Sequence, residues 1–357
     1  MHRRKFLAGA GGLAAAAAAP AVIAQPKIEW RMAASWPASL DVFWGGTQRF
    51  AAMVDELTGG RLKIKTFASE ELVPGLGVFD ACSQGAIEAF HSTPFYWAAK
   101  DPAAQWFAAV PFGLNAQGNH TWYHAGGGLK LWEETYAPFG LVPRPGGSTG
   151  VQMGGWFRKK IERLADLKGL KMRMPGLGGK VLAKAGAIPM LLAAGQALSA
   201  LEQGVIDAVE FVGPHDDVKL GFYRGARHYY YPGWHEAGTG LEFTFNKKAY
   251  DALPADLRRA LDYAALAVSS LMLAEMEMKN ALALKRLRSE FKGRVEILPF
   301  PADVMRSLRK LSAEVLKDES EKSPMARKVH AAYTDFQQLL RDWGRISEGA
   351  YYQLIAG

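Results

Sequence analysis

The chain has 357 residues, 49% of them hydrophobic and 22% charged, a balance that excludes a mostly disordered chain and leaves room for one large fold or two domains with real cores. Lys and Arg number 43 against 35 Asp and Glu, a formal charge of +8, and three of those charges (Arg3, Arg4 and Lys5) sit at the N-terminus, leaving a mild +5 beyond them. A small excess spread over so long a chain is no nucleic-acid patch, and a single cysteine, Cys82, excludes an internal disulfide or a multi-cysteine metal centre.

Residues 1–24 read as an export leader. His2-Arg3-Arg4-Lys5-Phe6-Leu7 precedes a Gly/Ala-rich run and the small-residue exit Val22-Ile23-Ala24. The apolar run, about 12 residues, is well short of the ~20 needed to span a bilayer. The arginine pair followed by Phe-Leu is of the twin-arginine kind, so the mature product is expected in the periplasm or otherwise outside the cytoplasm.

Residues 27–150 read as a first α/β lobe: a strand over 27–33, a helix over 43–57 stopped by Gly59-Gly60, a strand over 61–65, a helix over 78–85, a strand over 87–91 and a helix over 129–139. The turn-rich Pro143-Arg144-Pro145-Gly146-Gly147 marks a boundary. A second α/β lobe over 151–235 repeats the alternation, with a strand over 170–173 halted at Pro175-Gly176 and another over 206–212 that delivers Glu210 to its carboxyl end. Such alternation predicts largely parallel sheets covered by helices, with ligands at the strand ends. Residues 236–252 read as a strand returning to the first lobe. The span 253–291 lacks Pro and Gly from Ala255 onward and predicts one helix about 55 Å long, enough to brace both lobes. A late strand and helix fill 292–324, and 325–357 is an amphipathic helical tail.

Four polar residues stand out. Arg173 ends a strand, where its guanidinium can grip a carboxylate through paired charge-assisted bonds or simply pair with a neighbouring acid. Glu210 and Glu236 sit in the apolar frames Ala208-Val209-Glu210-Phe211-Val212 and Gly233-Trp234-His235-Glu236-Ala237-Gly238. A carboxylate in such a frame must be paired, protonated or bound to a cation. With the Gln152 amide and a backbone carbonyl near Phe211 they make an oxygen set for calcium, or alternatively sodium; caps or ion pairs are the plainer use. Trp36, Phe95, Tyr96, Trp97, Trp156, Phe211 and Trp234 are cleft liners or core residues. Enzyme chemistry finds little footing: no His-Glu-x-x-His motif supports His215 and Asp216-Asp217, no nucleophile accompanies the glutamates, Gly126-Gly127-Gly128 lacks a phosphate loop's Lys-Ser/Thr, and Cys82 reads as a packed thiol.

Taken together, Trp36-Pro37, Ser92-Thr93-Pro94-Phe95-Tyr96, Leu170-Lys171-Met172-Arg173-Met174-Pro175-Gly176, Leu201-Glu202-Gln203-Gly204-Val205-Ile206-Asp207-Ala208, Glu210-Phe211-Val212-Gly213-Pro214 and Gly233-Trp234-His235-Glu236 resemble the DctP-type solute receptors of TRAP transporters, in particular the subgroup for 2-oxo and 2-hydroxy monocarboxylates. The resemblance implies a two-lobed, periplasmic-binding-protein-like α/β fold with a long helix spanning both lobes, and binding without bond chemistry. It implies that Arg173 clamps the carboxylate of lactate or pyruvate, that Gln152, Glu210, the Phe211 carbonyl and Glu236 hold calcium or sodium against the ligand, and that Trp36, Phe95, Tyr96 and Trp234 line the pocket. It further implies membrane permease subunits as partners and a homodimer made through the C-terminal helix. Phe211 stands where relatives often carry Trp, and His215 and His235 where aromatic alternatives are expected, which leaves pocket size open. A larger 2-oxo acid or a C4-dicarboxylate is the alternative ligand, and a secreted carboxylate-processing enzyme the alternative activity.

Overall fold

The computed structural model of the chain describes residues 27–355; the leader expected over 1–24 lies outside them. Among the described residues no helix is long and apolar enough to cross a membrane. Eleven strands are present there: β1 (Ile28–Ala34), β2 (Leu62–Phe67), β3 (Ala89–Ser92), β4 (Leu141–Ser148), β5 (Gly155–Phe157), β6 (Lys171–Arg173), β7 (Ile188–Met190), β8 (Ala208–Val209), β9 (His228–Tyr231), β10 (Gly240–Asn246) and β11 (Glu296–Pro299). They form a five-stranded sheet in the order β2-β1-β3-β10-β4 and a six-stranded sheet in the order β11-β9-β5-β8-β6-β7.

The alternation written into β2, with Leu62 and Ile64 buried and Lys63 and Lys65 exposed, seats one face on the helix Asp41–Leu57. β1 pairs parallel with β2 and β3, and β6 parallel with β7 and β8. The sheets are nonetheless mixed rather than largely parallel. β10 runs antiparallel to β3 and β4, and β5 antiparallel to β8 and β9. These are the strands on the two passages between lobes: β4 to β5 carries the chain out, and β9 to β10 carries it back.

The stretch Pro143-Arg144-Pro145-Gly146-Gly147 is part of β4 rather than a turn. β4 lies at the sheet edge, where a strand tolerates prolines that cannot donate to a further neighbour. A bulge between Leu241 and Glu242 of β10 absorbs the irregular register.

The helix Ala255–Ser289 has 35 residues, about 52 Å at 1.5 Å per residue. Its first half serves the first lobe: Asp262 pairs with Arg144 at 2.6 Å, and Ser269 donates to the Pro145 carbonyl at 2.9 Å. Met272 fills the space over Gly46, where a Cβ would lie 2.3 Å from its sulfur. Farther along, Asn280 Oδ1 accepts from the His215 N–H at 3.0 Å in the second lobe. The helix Ala302–Ser320 packs on the second lobe's Gly176–Lys184 through Lys180 and Glu319 at 2.5 Å and Lys184 and Asp318 at 2.8 Å. The tail divides into Pro324–Ile346 and Glu348–Ile355. Its beginning returns to the first lobe, where the Tyr333 hydroxyl accepts from the Leu114 N–H at 2.8 Å.

Inside the first lobe lies a buried carboxyl. Glu242 Oε1 accepts from Trp97 Nε1 at 2.6 Å and the Tyr136 hydroxyl at 3.3 Å, and Oε2 from the Thr244 hydroxyl at 2.7 Å. Burial lifts it from an ordinary 4.5 to about 7 against those three donors. The native state therefore keeps a proton that the unfolded chain releases. The residue's contribution to stability is full below about pH 4.5 and falls as pH rises through 7. Glu242→Gln keeps an acceptor for Trp97 and Tyr136 and removes the charge. Urea unfolding should find variant and parent equally stable below pH 4.5 and the variant firmer by about 1–3 kcal/mol above pH 7; coincident curves at pH 8 would contradict this.

Candidate functional site

A charged cluster forms where strand ends of the second sheet face the first lobe. β6 and β8 lie side by side in parallel, with Arg173 opposite Val209, so Arg173 and Glu210 leave adjacent strand ends together. The Glu210 N–H donates to the Arg173 carbonyl at 3.0 Å. Arg173 is 1% exposed. Nη1 donates to the Glu210 carbonyl at 2.5 Å and lies 3.5 Å from Glu210 Oε2; Nε donates to the Leu192 carbonyl at 3.3 Å, and Nη2 to the Tyr96 hydroxyl of the first lobe at 3.4 Å. The Phe211 ring centroid is 5.1 Å from the guanidinium carbon. Held on several edges, the planar fork is preorganised for a carboxylate.

Gln152 and Glu236 come from the passages between lobes. The Gln152 N–H donates to the Glu236 carbonyl at 3.1 Å, and the Gly233 N–H to the Gln152 carbonyl at 2.9 Å. A Cβ at Gly233 would lie 2.3 Å from that carbonyl oxygen, so the close approach requires glycine. Two hydroxyls orient the Gln152 amide: Nε2 donates to Thr149 Oγ1 at 3.1 Å and to Thr239 Oγ1 at 3.0 Å, while the Thr239 hydroxyl donates to Glu236 Oε2. Gln152 Oε1 is thereby left buried without a donor, and Glu210 Oε1 is in the same condition. Each such acceptor costs about 1–3 kcal/mol unless something positive meets it.

Burial lifts Glu210 to about 7 against the pull of Arg173, and burial, then the charge of Glu210, lifts Glu236 to about 7. A cation among them would draw both into the ionised form. Glu210, His235 and Glu236 each offer a ligand atom within 4.8 Å of the others. Two carboxylates and an orphaned amide oxygen fit a hard ion such as calcium or sodium.

Of the expected pocket residues, the structure brings Tyr96 and Phe211 to Arg173. Phe95 stands beside Tyr96 at 5.0 Å between ring centroids and against Gly176 at the start of a second-lobe helix. Two others are packed against core residues on at least one face. Trp36 packs on Phe43 at 5.0 Å and edge-on to His91 at 4.5 Å, and Phe43 in turn meets Phe211 at 6.1 Å. Trp234 stacks on Phe112 at 5.7 Å and shares a small apolar cavity with Met172, Met174 and Phe300. Met172 precedes Arg173 in β6, so strand alternation puts that cavity on the face away from the guanidinium.

Trp97 and Trp156 are also core residues, tied to Glu242 and Asp217. Asp217 accepts from Trp156 at 3.0 Å, Tyr229 at 2.7 Å and the Val212 N–H at 3.2 Å, bracing the turn that follows Glu210. Cys82 is buried, and burial pushes its thiol well above the ordinary range. Thr149 and Thr239 were not singled out by sequence, because a hydroxyl in a polar turn carries no charge signature. His235, named from sequence only as a departure from the family pattern, is buried, which lowers it to about 4 and keeps the imidazole neutral.

The model of the DctP family, bacterial extracellular solute-binding protein family 7, matches residues 32–323. A monocarboxylate 2-oxoacid-binding periplasmic protein of Nostoc sp. is 40% identical over 326 residues, 91% of this chain and 88% of that protein. A TRAP periplasmic solute-binding protein of Pseudoalteromonas atlantica, solved with sodium and pyruvate, is 40% identical with a TM-score of 0.89, over 92% of this chain and 99% of the other. A TRAP transporter solute-binding protein of Bordetella bronchiseptica, solved as a mixed-occupancy dimer with co-purified calcium and picolinate, is 39% identical with a TM-score of 0.89, over 93% and 98%. The chain therefore belongs to the DctP family of bacterial extracellular solute-binding proteins, the receptors of TRAP transporters.

Proposed function

We propose that this receptor binds a small 2-oxo or 2-hydroxy monocarboxylate, pyruvate or lactate, and presents it to membrane permease subunits. The observation that carries the reading is one buried cluster holding a guanidinium beside two acceptors, Gln152 Oε1 and Glu210 Oε1, that have no donor. The pyruvate-bound relative supports it. Arg173 takes the ligand carboxylate. Gln152, Glu210, Glu236 and the Phe211 carbonyl hold the cation, which supplies positive charge to the ligand's carboxylate and 2-oxygen. Phe95 and Tyr96 close the pocket from the first lobe, and Trp36 and Trp234 complete its aromatic lining. Closure over the site removes water and strengthens each of these attractions. The moving bodies are 27–150 with 236–252 on one side and 151–235 on the other, braced by 253–291 and followed by 292–324.

Arg173→Ala should lower pyruvate affinity at least about 100-fold, or ~2.7 kcal/mol, in calorimetry of a variant whose circular dichroism is unchanged. Stripping metal from the parent should have a comparable effect, reversed by calcium or sodium; full affinity in either case would sink the assignment.

The tail 325–357 serves as a dimerisation segment in this reading. Its distal apolar residues are bare, Ile346 at 75% and Leu354 at 79% exposure, with Leu339, Trp343, Tyr351 and Tyr352 alongside; the Bordetella relative is a dimer. Light scattering should find a dimer that Leu339→Asp with Trp343→Asp converts to monomer, and an unaltered mass would count against the tail. Export by the twin-arginine route is carried by Arg3-Arg4. Changing both to Lys should leave precursor in the cytoplasm, whereas normal periplasmic yield would point to a different route.

A further inference from the structure

Asp216 is a carboxyl buried without a donor. It lies on the second-lobe helix Pro214–Leu220 and is 0% exposed, and neither of its oxygens has a hydrogen-bond partner among the described residues. Its neighbour Asp217, just as deeply buried, accepts from three donors. On its own helix Asp216 is joined by His215, Asp217 and Lys219; facing it are Asp41 of the first lobe and Lys279 of the spanning helix, the latter paired to Glu275, which in turn meets Arg49. An oxygen of Asp216, one of Asp41 and a ring nitrogen of His215 lie within 4.8 Å of one another.

The cations that could neutralise Asp216 are therefore at hand, yet Asp41 holds them: Lys219 at 2.6 Å, Lys279 at 2.8 Å and His215 Nε2 at 2.8 Å. Two ammonium groups at Asp41 repel a metal ion from that spot. Lys219 follows Asp216 by three residues on one helix, a spacing at which an acid and a lysine pair. Burial, then the charges of Asp217 and Asp41, push the Asp216 carboxyl well above its ordinary range against the pull of Lys219 and Lys279.

We propose, resting on the receptor reading above, that Asp216 and Asp41 compete for Lys219, so that lobe closure hands the lysine from Asp216 to Asp41 and the carboxyl left behind takes up a proton from solvent. When the lobes part, Asp41 leaves with its helix and Lys219 falls back on Asp216, which then stays ionised. Closing reverses the exchange and strips Asp216 of its counter-charge unless it is protonated. Below the ordinary carboxylate range both arrangements carry the proton; above it only the closed one does, so affinity for the acid falls as pH rises. Asp216 thus sets how readily the receptor closes without touching the solute.

The test is calorimetry of pyruvate binding in saturating Ca2+ at pH 6 and pH 8, for the parent and for Asp216→Asn, each in two buffers of different ionisation enthalpy. The parent should take up more protons per pyruvate than the variant, and its affinity should fall more steeply with pH, by up to about tenfold per pH unit for one full proton. The variant should bind at least about fivefold tighter than the parent at pH 8. Protons exchanged at His215, Glu210 and Glu236 enter both proteins alike, so the difference reads Asp216. Should the variant misfold, carboxyl 13C spectra of the aspartate-labelled parent should show a signal moving to its protonated position when pyruvate is added at pH 7. Equal proton counts and equal pH slopes in the two proteins, or no aspartate carboxyl that gains a proton with pyruvate, overturn the exchange and leave the receptor reading standing. A parent that binds no pyruvate at either pH, with Ca2+ or Na+, removes the receptor reading, and the exchange built on it falls as well.

Discussion

A guanidinium taken out of water is the constraint around which the second lobe is arranged. Desolvating Arg173 and Glu210 costs more than a 3.5 Å contact between them returns, and the protein offsets this with the Glu210 and Leu192 carbonyls and the Tyr96 hydroxyl. The remaining imbalance shows in Glu210 and Glu236, both lifted to about 7 by burial. Charge neutrality then selects among ligands. One guanidinium and a divalent ion balance two glutamates and one monocarboxylate. A second ligand carboxylate leaves an uncompensated negative charge in a closed, weakly polarisable space, and a monovalent ion does the same unless one glutamate keeps its proton. The cluster thus favours a monocarboxylate on physical grounds, in agreement with the pyruvate carried by the Pseudoalteromonas relative.

The architecture delivers those groups with few degrees of freedom. Parallel pairing of β6 with β8 makes Arg173 and Glu210 neighbours by register. Gln152 and Glu236 belong to the outgoing and returning passages, and they are locked together by backbone bonds through Gly233. A site drawn from both passages responds to the angle between the lobes, which a site within one sheet would not.

How much of this is legible in the sequence depends on what kind of signal a residue carries. Arg173, Glu210 and Glu236 are legible because a charge in an apolar frame demands an explanation, whatever the fold. The strand and helix alternation of both lobes is legible through periodicity, and the long helix through 35 residues without a breaker. The aromatics are not: Trp36 and Trp234 are read identically whether they face the cleft or the core, and only strand direction decides. Pro143-Arg144-Pro145-Gly146-Gly147 has a turn's composition, but an edge position beside a bulged partner makes it a strand. The orienting hydroxyls of Thr149 and Thr239 act through position alone, which no local pattern encodes.

Closure itself does not rest on the solute alone. Asp41, at the start of a first-lobe helix, accepts from Lys219 at 2.6 Å and His215 at 2.8 Å in the second lobe, and from Lys279 of the spanning helix at 2.8 Å. Against partial burial, Lys219, Lys279 and His215 hold its carboxylate well below the usual range. Phe43 on Phe211 adds an apolar contact across the same gap. These contacts join the two lobes without involving the ligand cluster, so in the proposed binding mode the ligand need supply only the difference between two states. Were they much stronger, the empty receptor would close and the permease could not tell it from the loaded one. Since Asp41 is half-exposed, its ion pairs are screened and modest. In the proposed binding mode, the interactions that differ most between empty and loaded forms are left to the dry cluster of Arg173, Glu210, Glu236 and Gln152.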